Sequence, residues 1–495
     1  MIKFGTGGWR AIIGDEFTKN NIQKLCKALS MKMHDEGVAE EGLCIGYDRR
    51  FLSKESLKWA CEVFAAEGIP CKMIMRSSPT PLIMYYVMAH DLPYGVMVTA
   101  SHNPAIYNGI KIFTRGGRDA DEKPTSEIEN YLRIIDEKLE NNTLRIESID
   151  YDEAVKKGLV IEFNPINEYI DSILSRVSID KIRQKNLRVA IDPLYGVSSV
   201  ALKTILAISR CEVEMIHEQH DTLFGGKMPA PTEETLRALQ IFVLDRNADI
   251  GLATDGDADR IGVIDDQGGY LHANDILVLL YYYLLKYKGW KGPVVRNIAT
   301  THRLDRVAAA FGEKCYEVPV GFKYVSAKMQ ETNAVIGGES SGGLTVRGHI
   351  NGKDGVYAAS LLVEMIAVTG MPLSELSAQV QREFGNDYMA ERSYTFSAER
   401  KQQIFHLLME EKKLPAFSLP VSSVSYMDGC KVRFGRLQEE KDNTASESAA
   451  DTGEDGGWII ARFSGTEPLL RIFCEHKEKE TAEDLVRQFE EFLEL

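Results

Sequence analysis

Short apolar runs alternate with segments of helical spacing along most of this chain, and the alternation restarts twice. In the first pass, helical spacing over Ile22–His34 precedes an apolar run at Leu43–Tyr47, a helix over Lys54–Ala66, a strand at Cys71–Met75 and a short helix over Pro81–Ala89. These lead to Val96-Met97-Val98, which reads as a buried strand. The second pass has a helix over Ile166–Val177, then strand Leu187–Asp192, helix Val200–Ile208, strand Cys211–His217, helix Glu233–Asn247 and strand Ile250–Thr254. The third has helix Asn274–Tyr287, strand Val294–Ile298, helices Leu304–Phe311 and Tyr324–Gln330, strand Ala334–Ile336, and helices near Val356–Val368 and Leu373–Phe384. Helices laid between buried strands are the pattern of α/β layering on a largely parallel sheet.

From about Ala390 the pattern changes. A helix over Glu399–Glu411 is followed by short strands around Val424–Tyr426, Lys431–Phe434, Trp458–Phe463 and Leu469–Cys474, then a helix from Thr481, which reads as a smaller α+β domain. Between those strands, Gln438–Gly457 is polar and acidic with almost no large apolar residue, so a mobile surface loop is expected. The charged stretch Asp119–Asp152, with a helix near Ile128–Leu139 and an Asn141-Asn142 turn, reads as the linker that closes the first unit. A length of 495 residues exceeds a single core and fits about three or four domains. The expected division is 1–150, 160–267, 268–387 and 390–495, with no repeat visible at the level of sequence.

A formal charge of −15 without a dense Lys/Arg run argues against a nucleic-acid partner. The eight cysteines are scattered, with no Cys-x-x-Cys pair, and several sit in apolar runs as small core residues, which fits a reducing compartment. The first residues carry no signal-like apolar region and no apolar run reaches about 18 residues, so neither export nor a membrane is expected and the cytoplasm is the expected location.

Chemistry concentrates where strands end. Val98-Thr99-Ala100-Ser101-His102-Asn103-Pro104 puts a serine in a loop at a strand's carboxyl end, beside a histidine and ten residues before Lys111. Asp255-Gly256-Asp257-Ala258-Asp259-Arg260 places three carboxylates at alternate positions after a buried strand, a hard oxygen set suited to Mg²⁺. It is no EF-hand, since Arg260 stands where that loop needs glycine and Asp266 where it prefers glutamate. An aspartyl nucleophile in an Asp-x-Asp pair is the other reading of this loop. Gly337-Gly338-Glu339-Ser340-Ser341-Gly342-Gly343 matches Gly-x-Ser-x-Gly, but the strand-like Leu344-Thr345-Val346 follows where a nucleophile elbow needs a helix. Glu339 and Ser341 facing sugar hydroxyls fit the loop better, with Lys353 just downstream. Arg462-Phe463-Ser464-Gly465-Thr466-Glu467-Pro468, with Arg471 beyond, has the composition of an anion cradle. Arg10, after Gly5-Thr6-Gly7-Gly8-Trp9, can pair with a phosphate. His217-Glu218-Gln219-His220 spaces its histidines by three rather than four, and no metal is expected there.

Loops at the carboxyl ends of three α/β units plus an anion cradle make the inventory of phosphoryl transfer on a phosphorylated polyol. The loops Thr99–Pro104, Asp255–Arg260, Gly338–Gly342 and Arg462–Thr466, in this order across the whole chain, resemble those of the α-D-phosphohexomutase superfamily. The resemblance implies a four-domain, heart-shaped enzyme with three similar α/β mixed-sheet domains and a smaller C-terminal α+β domain. It implies that Ser101 is carried as phosphoserine and that Mg²⁺ is held by that phosphate with Asp255, Asp257 and Asp259. Glu339, Ser341 and Lys323 would bind the sugar, while Arg462, Ser464, Gly465, Thr466 and Arg471 would grip the non-reacting phosphate. Arg10, His102, Lys111, Arg260 and Lys353 fall around the reacting centre, with proton transfer shared among Lys111, His102 and Lys353.

Many phosphomannomutase and phosphoglucosamine mutase relatives have histidine where Gly343 stands. Val318–Tyr324 and Lys353-Asp354-Gly355 resemble the phosphoglucomutase branch. The expected substrate is therefore glucose 1-phosphate, with glucose 1,6-bisphosphate as activator and intermediate, and with mannose phosphates or dual specificity second. A monomer or homodimer acting on a small sugar phosphate is expected. A serine hydrolase using Ser340 and a non-catalytic sugar-phosphate binder are the readings from other classes.

Overall fold

The computed structural model describes residues 2–5, 7–435, 456–463 and 469–495. They form two compact units, 1–283 with 341–376, and 284–340 with 377–495. The first sheet contains β1 (Trp9–Ile12), β2 (Leu43–Tyr47), β3 (Cys71–Ile74), β4 (Tyr94–Val98), β5 (Tyr107–Thr114), β6 (Arg118–Asp119) and β7 (Val160–Phe163). Its order is β1-β5-β4-β2-β3-β7, with β6 on β5. The strands β4, β2, β3 and β7 are mutually parallel, but β5 runs antiparallel to β4 and β1 antiparallel to β5. The sheet is thus mixed rather than largely parallel, because the Ser101 loop turns the chain straight back instead of passing through a crossover helix. After the Asn141-Asn142 turn a short helix, Tyr151–Lys156, leads into β7, whose pairing with β3 makes it the sheet's edge. Strand β7 leaves a weak signal in the sequence because it is only four residues long, and its middle residues Ile161 and Glu162 are exposed.

Helix Lys19–Asp35 shows how local chemistry sets this layer. Thr18 caps it by accepting the Asn21 amide, and Ile22, Leu25, Cys26, Leu29 and Met33 form its buried stripe. That stripe packs into one core with Leu57, Val63 and Phe64 of helix Ser53–Ala66 and Ile128, Leu132 and Ile135 of helix Glu122–Glu140. Truncating any one of these large buried side chains to alanine costs about 2–5 kcal/mol.

The second sheet comprises β8 (Arg188–Asp192), β9 (Glu212–Met215), β10 (Ile250–Thr254), β11 (Ile261–Ile264) and β12 (Tyr270–Leu271), in the order β12-β11-β10-β8-β9. Here too the parallel strands β9, β8 and β10 give way to antiparallel β11, and the reversal is the aspartate loop. In the third α/β layer, β13 (Val294–Asn297) lies parallel to both β14 (Cys315–Val318) and β15 (Ile336–Gly338), and β16 (Leu344–Val346) follows in the chain. The strand expected at Ala334–Ile336 thus runs two residues later and takes in Gly337. A Cβ at Gly337 would meet Met329 Sδ at 2.4 Å, so helix Phe322–Thr332 lies on this strand closer than a side chain allows.

The C-terminal sheet is wholly antiparallel, β17 (Tyr388–Thr395), β18 (Val421–Ser425), β19 (Cys430–Phe434), β20 (Trp458–Phe463) and β21 (Leu469–His476), in the order β17-β21-β20-β19-β18. Strand β17 lacks a sequence signature because only Ala390 is fully buried, as suits an edge. The expected helix over Glu399–Glu411 is α-helical over Ala398–Phe405 and widens to a π-type turn over His406–Glu410. Most of the expected surface loop over Gln438–Gly457 lies outside the described residues. The eight cysteines are free thiols, six buried and two half-buried. Among the described residues no single helix is long and apolar enough to cross a membrane. One bent pair, Gly355–Thr369 with Leu373–Phe384, passes on length and composition, but it breaks by 86° and its first helix is buried in the core.

Candidate active site

Ser101 is fully buried and adopts a left-handed backbone, φ 52°. Such a conformation costs a serine about 1–2 kcal/mol and persists where surroundings over-determine it. The hydroxyl donates to Asp255 Oδ2 at 2.9 Å and lies 3.3 Å from His102 Nδ1. Two loops from two sheets thereby meet at one hydroxyl.

The aspartate loop curls as its alternate spacing requires. Ala258 takes φ 62°, and Asp255 Oδ1 accepts the amides of Asp259 and Arg260 at 3.0 and 3.1 Å. Ligand oxygens of Asp255, Asp257 and Asp259 come within 4.8 Å of one another. Lys111 Nζ bridges Asp257 Oδ2 at 2.7 Å and Asp259 Oδ2 at 2.8 Å, and Lys353 Nζ reaches Asp259 Oδ2 at 3.0 Å. Burial and the neighbouring Asp259 and Asp257 push the Asp255 carboxyl well above the ordinary range. Burial acts the same way on Asp259, but Lys111, Lys353 and Arg260 overcome it and hold that carboxyl well below. Burial likewise opposes ionisation of Asp257, and Lys111 with the Thr80 hydroxyl wins, leaving it low.

Asp257 Oδ1 and Asp259 Oδ1 are buried with no hydrogen-bond partner, each an acceptor still open to a cation. An all-oxygen carboxylate set with open acceptors fits Mg²⁺.

Around this centre the structure gathers the other expected residues of the first unit. Arg10 Nη1 donates to Asn103 Oδ1 at 2.5 Å, and burial together with the Arg260 charge lowers its guanidinium. Arg260 Nε stands 4.0 Å from Asp255 Oδ2 and 3.9 Å from Asp259 Oδ1. Burial, then the charges of Arg260, Arg10 and Lys353, hold His102 far below the usual imidazole range, so it is neutral near pH 7. Lys111 is the converse: burial opposes its charge, but Asp257 and Asp259 outweigh it and raise the ammonium. Ser341 belongs to this unit as well and is exposed.

Two supporting residues escaped the sequence reading. Thr80 donates its hydroxyl to Asp257 Oδ2 at 2.6 Å and its amide to Asp257 O at 2.9 Å. Arg50, at the carboxyl end of β2, donates to the Ser101 carbonyl at 2.6 Å. The signal was there, since Tyr47-Asp48-Arg49-Arg50 also leaves the carboxyl end of a buried strand.

In the second unit, Glu339 Oε1 accepts the Gly321 amide at 3.0 Å and Asn297 Nδ2 at 3.1 Å. Asp428 Oδ2 accepts the Val320 amide and Arg462 Nε, both at 2.9 Å, so Glu339 and Arg462 bracket one turn. Lys323 Nζ lies 4.9 Å over the Tyr324 ring, and Arg471 stands opposite Arg462 in the β20–β21 register. Ser464, Gly465 and Thr466 lie outside the described residues. Ser340 donates its amide to Thr300 Oγ1 at 3.2 Å. His217 meets Asp192 at 2.9 Å and His220 the Arg49 carbonyl at 3.0 Å, pointing to separate partners.

This constellation of a buried serine, an aspartate cage and flanking cations defines a phosphotransfer enzyme on a multidomain α/β frame. Family models described as phosphoglucomutase/phosphomannomutase match the chain in order: alpha/beta/alpha domain I over 1–139, domain II over 167–268, domain III over 272–384 and the C-terminal domain over 431–492. The chain is 29% identical to the "Phosphoglucomutase/phosphomannomutase" of Thermococcus kodakarensis, over 97% of its own length and 96% of the relative's. It is 30% identical to the "Probable phosphoglucosamine mutase" of Pyrococcus furiosus, over 98% and 96%. A solved structure from Thermus thermophilus, given as a "putative phosphomannomutase", superposes with TM-score 0.81 at 25% identity, over 100% and 99%. The chain belongs to the α-D-phosphohexomutase superfamily, in its four-domain phosphoglucomutase/phosphomannomutase form, and is an intramolecular phosphotransferase.

Proposed function

We propose that this chain is a phosphoglucomutase that interconverts glucose 1-phosphate and glucose 6-phosphate through phosphoserine at Ser101. The observation that carries the reading is the Ser101 hydroxyl, buried, 2.9 Å from Asp255 and 3.3 Å from a neutral His102. In the forward step a sugar hydroxyl oxygen attacks the phosphoryl group on Ser101. The bond to Oγ breaks, and the hydroxyl proton passes to His102 or Lys353, since Asp257 and Asp259 hold Lys111 as an ammonium with no free pair to accept it. The product is glucose 1,6-bisphosphate, which turns round and returns its other phosphate to Ser101. Asp255, Asp257 and Asp259, with the phosphoserine, would hold Mg²⁺, which supplies charge neutralisation at the transferring group. Arg10 and Arg260 stand ready to meet phosphate oxygens as planar donors. Glu339, Ser341 and Lys323 are assigned to the sugar, and Arg462, Ser464, Gly465, Thr466 and Arg471 to the non-reacting phosphate, on the family resemblance.

The choice of glucose is supported at Gly343. A Cβ there would stand 2.2 Å from Lys353 Cδ, so any side chain at 343, a histidine included, requires the Lys353 side chain to shift from its present path to Asp259. A second reading, dual specificity for glucose and mannose phosphates, is favoured by the name of the Thermococcus relative.

Turnover of glucose 1-phosphate beside mannose 1-phosphate, with Mg²⁺ and a trace of glucose 1,6-bisphosphate, tests both readings. Glucose turnover well above mannose, lost in Ser101→Ala, is expected. Equal rates would replace the first reading by the second, and no turnover of either would remove both.

A further inference from the structure

Arg50 lies outside every motif tied to chemistry above, yet four of its N–H groups are spent on the Ser101 loop. Nη2 donates to the carbonyls of Ser101 and Asn103, both at 2.6 Å, and Nη1 to those of Pro104 and Tyr107, both at 2.9 Å. Its fifth N–H, at Nε, makes no hydrogen bond but stands 3.3 Å from Asp48 Oδ2 in a buried ion pair. Asp48 Oδ1 accepts the Arg50 amide at 2.9 Å and the Ser53 hydroxyl at 2.8 Å, and Oδ2 accepts the Thr99 hydroxyl at 2.6 Å. Thr99 Oγ1 in turn accepts the Ser101 amide at 2.8 Å. The circuit closes, because the amide and the carbonyl of Ser101 both return to the Asp48–Arg50 pair.

Asp48, Arg50, Ser53, Thr99 and Ser101 are buried, Asn103 and Tyr107 are half-buried and Pro104 is exposed, and the Phe224 ring lies 5.0 Å from the guanidinium. Four carbonyls converging on one point repel one another, and a multi-donor cation between them removes that repulsion, most of all at the buried Ser101 carbonyl. A planar fork with five N–H groups is such a cation, whereas an ammonium has three donors and no plane. The residue so held is the one in the costly left-handed conformation, with its hydroxyl against Asp255.

We propose that Arg50, acting through Asp48 and Thr99, is the positioning residue that fixes the Ser101 hydroxyl against Asp255 for phosphoryl transfer. The role rests on the reading of Ser101 as the phosphoryl carrier. Its function is geometric. It sets where the serine oxygen stands and leaves sugar binding and the aspartate cage alone.

The test compares Arg50→Lys, Thr99→Val and Thr99→Ser in steady-state turnover, Mg²⁺ titration and hydrogen exchange. In Arg50→Lys and Thr99→Val, kcat is expected to fall about 100-fold while KM stays within about threefold, as for a misplaced reacting group. Mg²⁺ affinity is expected to hold, and faster exchange to be confined to 99–107. Thr99→Ser keeps the hydroxyl and should keep kcat within about threefold of the parent. The double variant should lose little more than the poorer single variant, since both cut one circuit.

Arg50→Lys with near-parental kcat overturns the role, and so does a loss spread over kcat, KM and exchange throughout the unit. Should Arg50→Lys fail to fold, the Thr99→Val and Thr99→Ser pair decides alone. Ser101→Ala run in parallel separates the two claims. Turnover surviving in it removes the carrier reading. A dead Ser101→Ala beside normal Arg50→Lys and Thr99→Val removes only the positioning role.

Discussion

At the scale of single residues, the site is a problem in charge compensation. Three aspartates sit in a dry loop, and Lys111, Lys353 and Arg260 balance them at 2.7 to 4.0 Å. Lys111→Met would leave two buried carboxylates without their shared cation, a loss of about 3–5 kcal/mol for a broken buried pair. A divalent ion in the same cage would offset part of that loss. The expected outcome is a melting temperature well below the parent in EDTA and a larger Mg²⁺-induced rise than the parent shows. An equal rise in both proteins would mean that the ion binds elsewhere. At Gly343 the contact with Lys353 predicts that Gly343→His pushes the lysine off Asp259. Because Lys353 stands at the reacting centre, the variant should lose at least about tenfold in turnover of glucose and mannose phosphates alike, the cost of roughly one misplaced hydrogen bond to a charged group. Parental turnover in the variant would mean that Lys353 shifts without leaving Asp259.

At the scale of elements, each chemical loop of the first two sheets is a reversal point. The Ser101 loop joins parallel β4 to antiparallel β5, and the aspartate loop joins parallel β10 to antiparallel β11. The apolar runs of β4 and β10 were legible because both strands are buried throughout, and so were the loops, whose polar residues interrupt those runs. The direction of the return strands was not, because an apolar run reads the same in either direction. Edge strand β17 was invisible for a different reason, since its half-exposed middle is polar, while β7 is three-quarters apolar but only four residues long. The position of Arg50 after a buried strand was legible but its role was not, because its partners are backbone carbonyls, and these leave no trace in residue type. Strand β19 carries a comparable hidden feature. It drives Lys431 into a dry site where Nζ meets Glu317, the Ile298 carbonyl and His302. Burial pushes the ammonium down to about 7, against the pull of Glu317. Between that value and the roughly 10.4 of an exposed lysine, the unfolded chain binds a proton that the folded chain has released. The burial cost is therefore full below pH 7 and is relieved as pH rises. Relative to Lys431→Met, the parent should gain about 1.4 kcal/mol of unfolding free energy per pH unit above pH 7.5. Denaturant melts at pH 7.5, 8.25 and 9 would show it, and a difference flat with pH would mean that Lys431 stays charged.

At the scale of the whole molecule, the proposed assignment of metal and far-phosphate residues to different units predicts a thermodynamic signature. The aspartate cage and every group that balances it lie within 1–283 and 341–376, while Glu339, Arg462 and the Lys431 cluster lie in the other unit. A ligand that binds only the folded form of one unit stabilises that unit by RT ln(1 + [L]/Kd), about 2.7 kcal/mol at a hundredfold excess over Kd. Mg²⁺ alone should therefore slow the deepest hydrogen exchange in peptides from β4, β5, β10 and β11 by up to about 100-fold, the same quantity read as a rate ratio. Peptides from β17 to β21 should exchange as they did before. On the proposed assignment, glucose 1,6-bisphosphate should engage the residues given to the sugar and its far phosphate, and protection should then extend to β20 and β21. If Mg²⁺ alone protects both sets equally, the two units open as one cooperative body and the metal's effect is not local. If the bisphosphate protects only the first set, the assignment of Arg462 and Arg471 to the non-reacting phosphate fails, although transfer at Ser101 would stand.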